Sequence, residues 1–283
     1  MSVQGRCLCG GVRYELDAPF RSMVHCHCSM CRKHHGALFA TFLTGPIGRF
    51  RWLAGEALVG VYTSSAGVER RFCRTCGSSL PDLWDAEDEV CCPAGGLEED
   101  PGMRPDHHIF AESAPEWAPI TDGLPRFAAY PPGVGGEIDR LAVRPEPGLI
   151  LGGCLCGAMA FEVDAEAVVL ARNCHCRRCR RHTGAAHASN LFVALDAVRL
   201  RRGEELRTLW KLPEAERFAS GFCSRCGSIA PRPIPQLGRC LIPMGALDTD
   251  PGMRPSSHIF VASKAPWFEI TDGLPQYEGY APA

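Results

Sequence analysis

The most regular hydrophobic pattern in the chain has a period of two. Val12-Arg13-Tyr14-Glu15-Leu16 sends apolar side chains to one face and polar ones to the other, as a half-buried strand requires. Met159-Ala160-Phe161-Glu162-Val163 repeats the pattern less cleanly, and Phe50 to Tyr62 reads as a hairpin turning near Gly55-Glu56, with a counterpart turning near Gly203-Glu204. No window of a dozen residues carries a helical stripe. The short helical candidates are polar: Cys31 to His35 stopped by Gly36, and Cys179 to Thr183 stopped by Gly184, each glycine supplying the left-handed turn that ends a helix. The expected class is all-β, with many loops.

These elements are written twice. Cys7 and Cys9 recur as Cys154 and Cys156, Cys26-His27-Cys28-Ser29-Met30-Cys31 as Cys174-His175-Cys176-Arg177-Arg178-Cys179, and Cys73 and Cys76 as Cys223 and Cys226. Pro101 to Pro105 matches Pro251 to Pro255, His108-Ile109-Phe110 matches His258-Ile259-Phe260, and Ile120 to Pro125 matches Ile270 to Pro275. Matches this long outside the cysteines indicate duplication of a whole domain. The expected organisation is a first domain over residues 1–132, a Pro/Gly-rich linker over 133–150 and a second domain over 151–283.

Composition narrows the function classes. The 283 residues carry a formal charge of −2, so there is no broad basic field, and neither nucleic acid nor an anionic membrane is an expected partner. No stretch has the apolar length of a membrane span, and the N-terminus lacks the pattern of a secretory signal, so a cytoplasmic protein is expected. In that compartment the 17 cysteines are expected as thiols or metal ligands rather than disulfides.

Their spacing points to metal. Cys7, Cys9, Cys73 and Cys76 bring four thiolates from two knuckles, as do Cys154, Cys156, Cys223 and Cys226; each set completes a closed tetrahedral zinc shell of structural type. A redox reading of the C-x-x-C pairs would need a following helix, which the sequence does not offer. Cys26, Cys28 and Cys31, and likewise Cys174, Cys176 and Cys179, supply three ligands and leave a fourth position open to water, a substrate sulfur or another side chain. His108 and His258 are the distant, repeat-matched candidates for closing that shell, whereas His27 and His175, each between two ligands, are expected to face away. Cys91, Cys92 and Cys240 read as small buried hydrophobes, and Trp117, Trp267, Phe110 and Phe260 as core or loop anchors.

The ordered set C-x-C-G, C-H-C-x-x-C-R with a following H-x-G-A, F-C-x-x-C-G-S and a Trp before I-x-D-G-L-P resembles the glutathione-dependent formaldehyde-activating enzyme family, along nearly the whole chain and twice over. That family also includes centromere protein V. The resemblance implies two tandem zinc-stapled β-sheet domains and a zinc-dependent carbon–sulfur lyase. It implies that the four-cysteine sets hold structural Zn2+ and the triples the active Zn2+, up to four ions per chain. The implied reaction joins the sulfur of glutathione to formaldehyde as S-(hydroxymethyl)glutathione, or runs in reverse, on a small-molecule thiol partner. The other class of function is a non-catalytic zinc-stabilised binding module. Arg177, Arg178, Arg180 and Arg181 beside the second triple, with Leu247-Asp248, make the second copy the expected stronger site for an anionic thiol. The oligomeric state is left open.

Overall fold

A computed structural model describes residues 1–132 and 143–282; the central part of the expected linker, 133–142, lies outside the described residues. The described chain is mostly β, and its α-helices are two seven-residue segments, α1 (Ser29–His35) and α2 (Arg177–Thr183). Both fall on the expected polar segments and end at Gly36 and Gly184, whose φ of 59° and 70° are left-handed.

Each half builds the same sheets. In the first half, Ser2–Arg6, Arg13–Asp17 and Phe50–Ala54 form an antiparallel trio. A five-stranded sheet is centred on Ala40–Pro46, flanked by Ser22–Cys26 and Glu89–Pro93, and His107–Ile109 adds in parallel beyond Ser22–Cys26. The second half repeats this with Leu149–Gly153, Ala160–Asp164 and Val198–Arg202, and with Ala188–Ala194 between Val168–Cys174 and Arg239–Pro243. The alternating segment behaves as expected: Val12, Tyr14 and Leu16 are buried against the first core.

The expected hairpins are a correction. The turn at Gly55-Glu56 exists, but Phe50–Ala54 pairs with Arg13–Asp17, while Val59–Ser65 pairs with Val68–Cys73 in another sheet. The reason is the first cysteine knuckle. A Cβ on Gly55 would lie 1.9 Å from the Gly11 carbonyl oxygen, and Leu58 accepts from the Arg74 N–H, so the turn wraps the knuckles instead of closing a hairpin. Gly203 makes the same approach to Ala158 in the second half, and Val198–Arg202 likewise parts from Arg207–Lys211.

The two halves interlock about an approximate two-fold relation. Trp117 sits in the core of the second half and Trp267 in that of the first, so the repeat-matched tryptophans are exchanged. Backbone at Gly95 donates to the Gly184 carbonyl at 3.0 Å, and a Cβ on Gly245 would stand 2.3 Å from the Ala37 oxygen, so the short turns at 94–96 and 244–246 abut the opposite helix termini. Lys33 on α1 pairs with Asp248 at 2.7 Å, and at the equivalent place on α2 Arg181 pairs with Glu98. Both pairs are largely withdrawn from solvent. The Leu-Asp step and the arginine thus serve the contact between halves.

Candidate metal centres

The four-thiolate sets form as expected. Cys7, Cys9, Cys73 and Cys76 gather their sulfurs within 4.8 Å of one another, as do Cys154, Cys156, Cys223 and Cys226. Sulfur separations of 3.3 Å for Cys7 to Cys9 and 3.8 Å for Cys9 to Cys73 are close to the edge of a zinc–sulfur tetrahedron, roughly 3.8 Å for bonds of about 2.3 Å. Backbone N–H groups are aimed at the sulfurs, Val12 to Cys7 at 3.3 Å and Met159 to Cys154 at 3.2 Å. Ser78 explains the serine of C-G-S: its hydroxyl accepts from the Leu8 N–H at 2.9 Å and lies 3.2 Å from Cys76 Sγ, tying one knuckle to the other. Ser228 repeats this with Leu155 and Cys226.

The triples form too. Cys26 ends a strand, Cys28 caps α1, and Cys31 lies one turn in; Cys174, Cys176 and Cys179 stand equivalently on α2. In each triple all three sulfurs lie within 4.8 Å of one another, and among the described residues no histidine or carboxylate joins them. The capping sulfurs accept from the backbone one turn on, Cys31 N to Cys28 Sγ at 3.3 Å and Cys179 N to Cys176 Sγ at 3.4 Å. Hydrogen bonds from Cys26 and Cys31 hold the Cys28 thiol well below its ordinary pKa against burial, with Arg70 assisting. Those from Cys174 and Cys179 hold Cys176 at about 3, with further help from backbone N–H groups. A donor set of three sulfurs, one already poised as thiolate, fits a soft cation with an open position.

The histidines are occupied elsewhere. His27 Nε2 meets His108 Nδ1 at 2.8 Å, and His108 Nε2 meets Asp122 at 2.9 Å; His175, His258 and Asp272 repeat the relay at 2.8 and 3.0 Å. His27 and His175 therefore face away from the thiols, as expected, and His108 and His258 do not complete the shell.

Surroundings separate the two triples. Cys26, Cys28 and Cys31 line a cavity of about 250 Å³ walled by Phe42, Trp84, Phe110 and Tyr130. Arg70, Glu89 and Cys91 also face it, so Cys91 is a wall of the site as well as a buried small residue. Arg70 is buried and held by Asp82 at 3.2 Å. Burial alone would lower the guanidinium, but Cys31, Asp82 and Cys28 outweigh it and hold it above its ordinary value. Burial pushes Asp82 up to about 6 against the pull of Arg70, and burial likewise raises Glu89 and the Tyr130 phenol.

At the second triple, Cys179 borders a cavity of only about 40 Å³, while Cys176 and Cys179 are half-exposed. Ser220 and Arg232 occupy the places of Arg70 and Asp82, so the buried ion pair is missing there. The four expected arginines do not converge. Arg177 and Arg178 are exposed, Arg180 donates to the His175 carbonyl at 3.3 Å, and Arg181 is taken by Glu98.

Arg70, Asp82, Glu89 and Tyr130 were not singled out from the sequence. The signal lay in the repeat itself: aligning the halves sets Arg70 against Ser220, Asp82 against Arg232 and Glu89 against Arg239, a coordinated change of charge around an unchanged ligand spacing.

Comparison with known proteins agrees with this arrangement. The model of a family described as glutathione-dependent formaldehyde-activating enzyme matches residues 2–113 and again 149–263. A Halomonas elongata protein provisionally named glutathione-dependent formaldehyde-activating enzyme is 29% identical over 142 residues, spanning 46% of this chain and 90% of that protein. A crystal structure of a Rhodobacter sphaeroides protein is 27% identical, covers 35% of this chain and 92% of its own, and has a TM-score of 0.30.

Proposed function

From the premise that this chain belongs to the glutathione-dependent formaldehyde-activating enzyme family, we propose that it is a zinc-dependent carbon–sulfur lyase whose working site is the first triple. Its reaction adds the sulfur of glutathione, or a related small thiol, to formaldehyde and splits the same S-(hydroxymethyl) adduct in reverse. The proposed organisation is the two zinc domains at 1–132 and 151–283 joined by the linker between them. Cys7, Cys9, Cys73 and Cys76, with their counterparts, would hold structural zinc, and Cys26, Cys28 and Cys31 the active ion. Zinc bound there would supply the means to keep a substrate sulfur as thiolate at neutral pH.

The observation that carries this reading is the cavity of about 250 Å³ lined by the three thiols and buried Arg70. It exceeds the ~150 Å³ that holds a benzene ring, so it admits the thiol arm and the one-carbon electrophile while the rest of a peptide thiol stays outside. Arg70, fixed by Asp82, sets a positive charge against three thiolates, which lowers the cost of bringing another sulfur anion close. Trp84, Phe42 and Phe110 exclude water from the adduct carbon. Glu89 is the carboxylate facing the cavity; it takes the thiol proton and returns it to the adduct oxygen, so that one S–H is exchanged for one O–H as the C–S bond forms. The Tyr130 phenol, kept protonated by burial, is the donor facing that oxygen.

The second triple, with its 40 Å³ space and no buried ion pair, fits the structural-module reading. Zinc-replete protein should consume formaldehyde in a glutathione-dependent way, and Glu89→Gln should slow turnover by roughly tenfold to a hundredfold while leaving zinc content unchanged. A Glu89→Gln rate equal to the parent rate would remove Glu89 from the mechanism, and no activity in the parent would remove the lyase assignment.

A further inference from the structure

A second cavity, of about 330 Å³, lies between the two halves and belongs to neither triple. Its walls come from both: Leu38, Phe39 and Trp117 of the first half, and Phe268, His187 and Leu274 of the second. Phe39 and Phe268 tilt across it with ring centroids 6.0 Å apart, and His25 and His187 meet Phe39 edge-on at 4.9 and 5.5 Å. The space is roughly twice the ~150 Å³ that takes one benzene, which corresponds to a flat molecule of two fused rings.

Two polar groups on this wall have no partner. The Trp117 indole N–H is buried and unsatisfied, although Trp117 is only 8% exposed. His27 is 3% exposed, and its Nδ1 is also unsatisfied. The relay fixes what that nitrogen is. A carboxylate accepts only, so His108 donates Nε2–H to Asp122; neutral His108 then accepts at Nδ1, His27 donates Nε2–H to it, and His27 Nδ1 is left as a bare acceptor. One wall thus offers a donor and an acceptor, both withdrawn from water, and such groups cost about 1 to 3 kcal/mol each while unpaired.

Charge at the rim selects the ligand further. Asp122, Asp272, Glu116 and Glu269 all border the cavity, against one arginine, Arg254, which is itself engaged by Asp250 at 2.7 Å. A negative rim disfavours an anion such as glutathione. The geometry points to a binding site between the halves for a flat, neutral or cationic two-ring heteroaromatic molecule carrying one N–H donor, for His27 Nδ1, and one acceptor, for the Trp117 indole. Because this wall is built from both halves, the site exists only in the paired arrangement of the tandem chain.

The test is calorimetric titration of the intact, zinc-loaded chain with 2-aminobenzimidazole, and with 2-naphthoate as an anion of similar size, each with and without saturating glutathione. The expected result is one 2-aminobenzimidazole per chain, bound roughly tenfold or more tighter than 2-naphthoate and unaffected by glutathione. Trp117→Phe, which keeps the aromatic wall and removes the donor, should weaken binding about fivefold. Thr121→Trp at the exposed rim should abolish it without touching the core. Absence of heat at millimolar probe, equal affinity for the anion, indifference to both variants, or displacement by glutathione would each overturn the inference; the last would place the probe at the thiol site instead.

Discussion

Two sets of three cysteines, spaced identically and each carried on the start of a seven-residue helix, end in different surroundings. Cys26, Cys28 and Cys31 are buried and face a chamber of about 250 Å³ with an arginine, a glutamate and a tyrosine in its wall. Cys176 and Cys179 are nearer the solvent, and the space beside Cys179 is about 40 Å³. The ligands define where an ion can sit, and the residues two strands away define whether a substrate can reach it in a water-poor, charge-balanced enclosure. A ligand motif alone therefore does not distinguish a working site from a staple.

The largest expected effect concerns staples. Cys73→Ser or Cys223→Ser opens a closed four-thiolate set and should cost several kcal/mol of stability, because zinc binding at such sites contributes on the order of ten kcal/mol to folding. Cys28→Ser and Cys176→Ser should lower the melting temperature far less. If melting curves show the triples to be the more costly, the assignment of structural and open sites is reversed.

Arg70 sharpens the contrast between the triples. Arg70→Met should lower kcat/KM by about a hundredfold, and it should also cost about 3 kcal/mol of stability by leaving Asp82 buried without its cation. Ser220→Ala, the equivalent change in the second half, should alter neither. An active Arg70→Met enzyme would show that the guanidinium is a structural partner of Asp82 and nothing more.

The smallest effect treats the halves as equals. His34 on α1 and His182 on α2 are buried, and burial lowers each to about 4 from the ordinary 6.5. A depressed folded pKa means that stability is full above 6.5 and is lost as pH falls towards 4, by about 1.4 kcal/mol per unit for each group. Replacing either with glutamine should flatten the fall in melting temperature between pH 6.5 and 5 by the same amount. Unequal flattening would mean that the helices are not equivalently buried in solution.

Much of this was legible in the sequence. Period-two alternation located Arg13–Asp17, glycine located the ends of both helices, and cysteine spacing located all four thiol clusters, because each of these signals is local. The two tryptophans were readable as anchors, but not as anchors in the opposite half. What stayed hidden depends on contacts distant in the chain. The Phe50 to Tyr62 hairpin failed because the knuckle at Gly11, far upstream, captures the turn. The arginine cluster misled because its members satisfy a carbonyl, a carboxylate of the other half and solvent, which no local charge count reveals.

The central claim is that the first triple performs the chemistry, and the most direct measurement is glutathione-dependent consumption of formaldehyde by Cys28→Ser beside Cys176→Ser, with zinc quantified in each and folding verified. The account expects Cys28→Ser to lose activity by about a hundredfold or more while Cys176→Ser keeps at least about half of it. Equal losses in the two variants, or the greater loss in Cys176→Ser with zinc retained at the other sites, would contradict it.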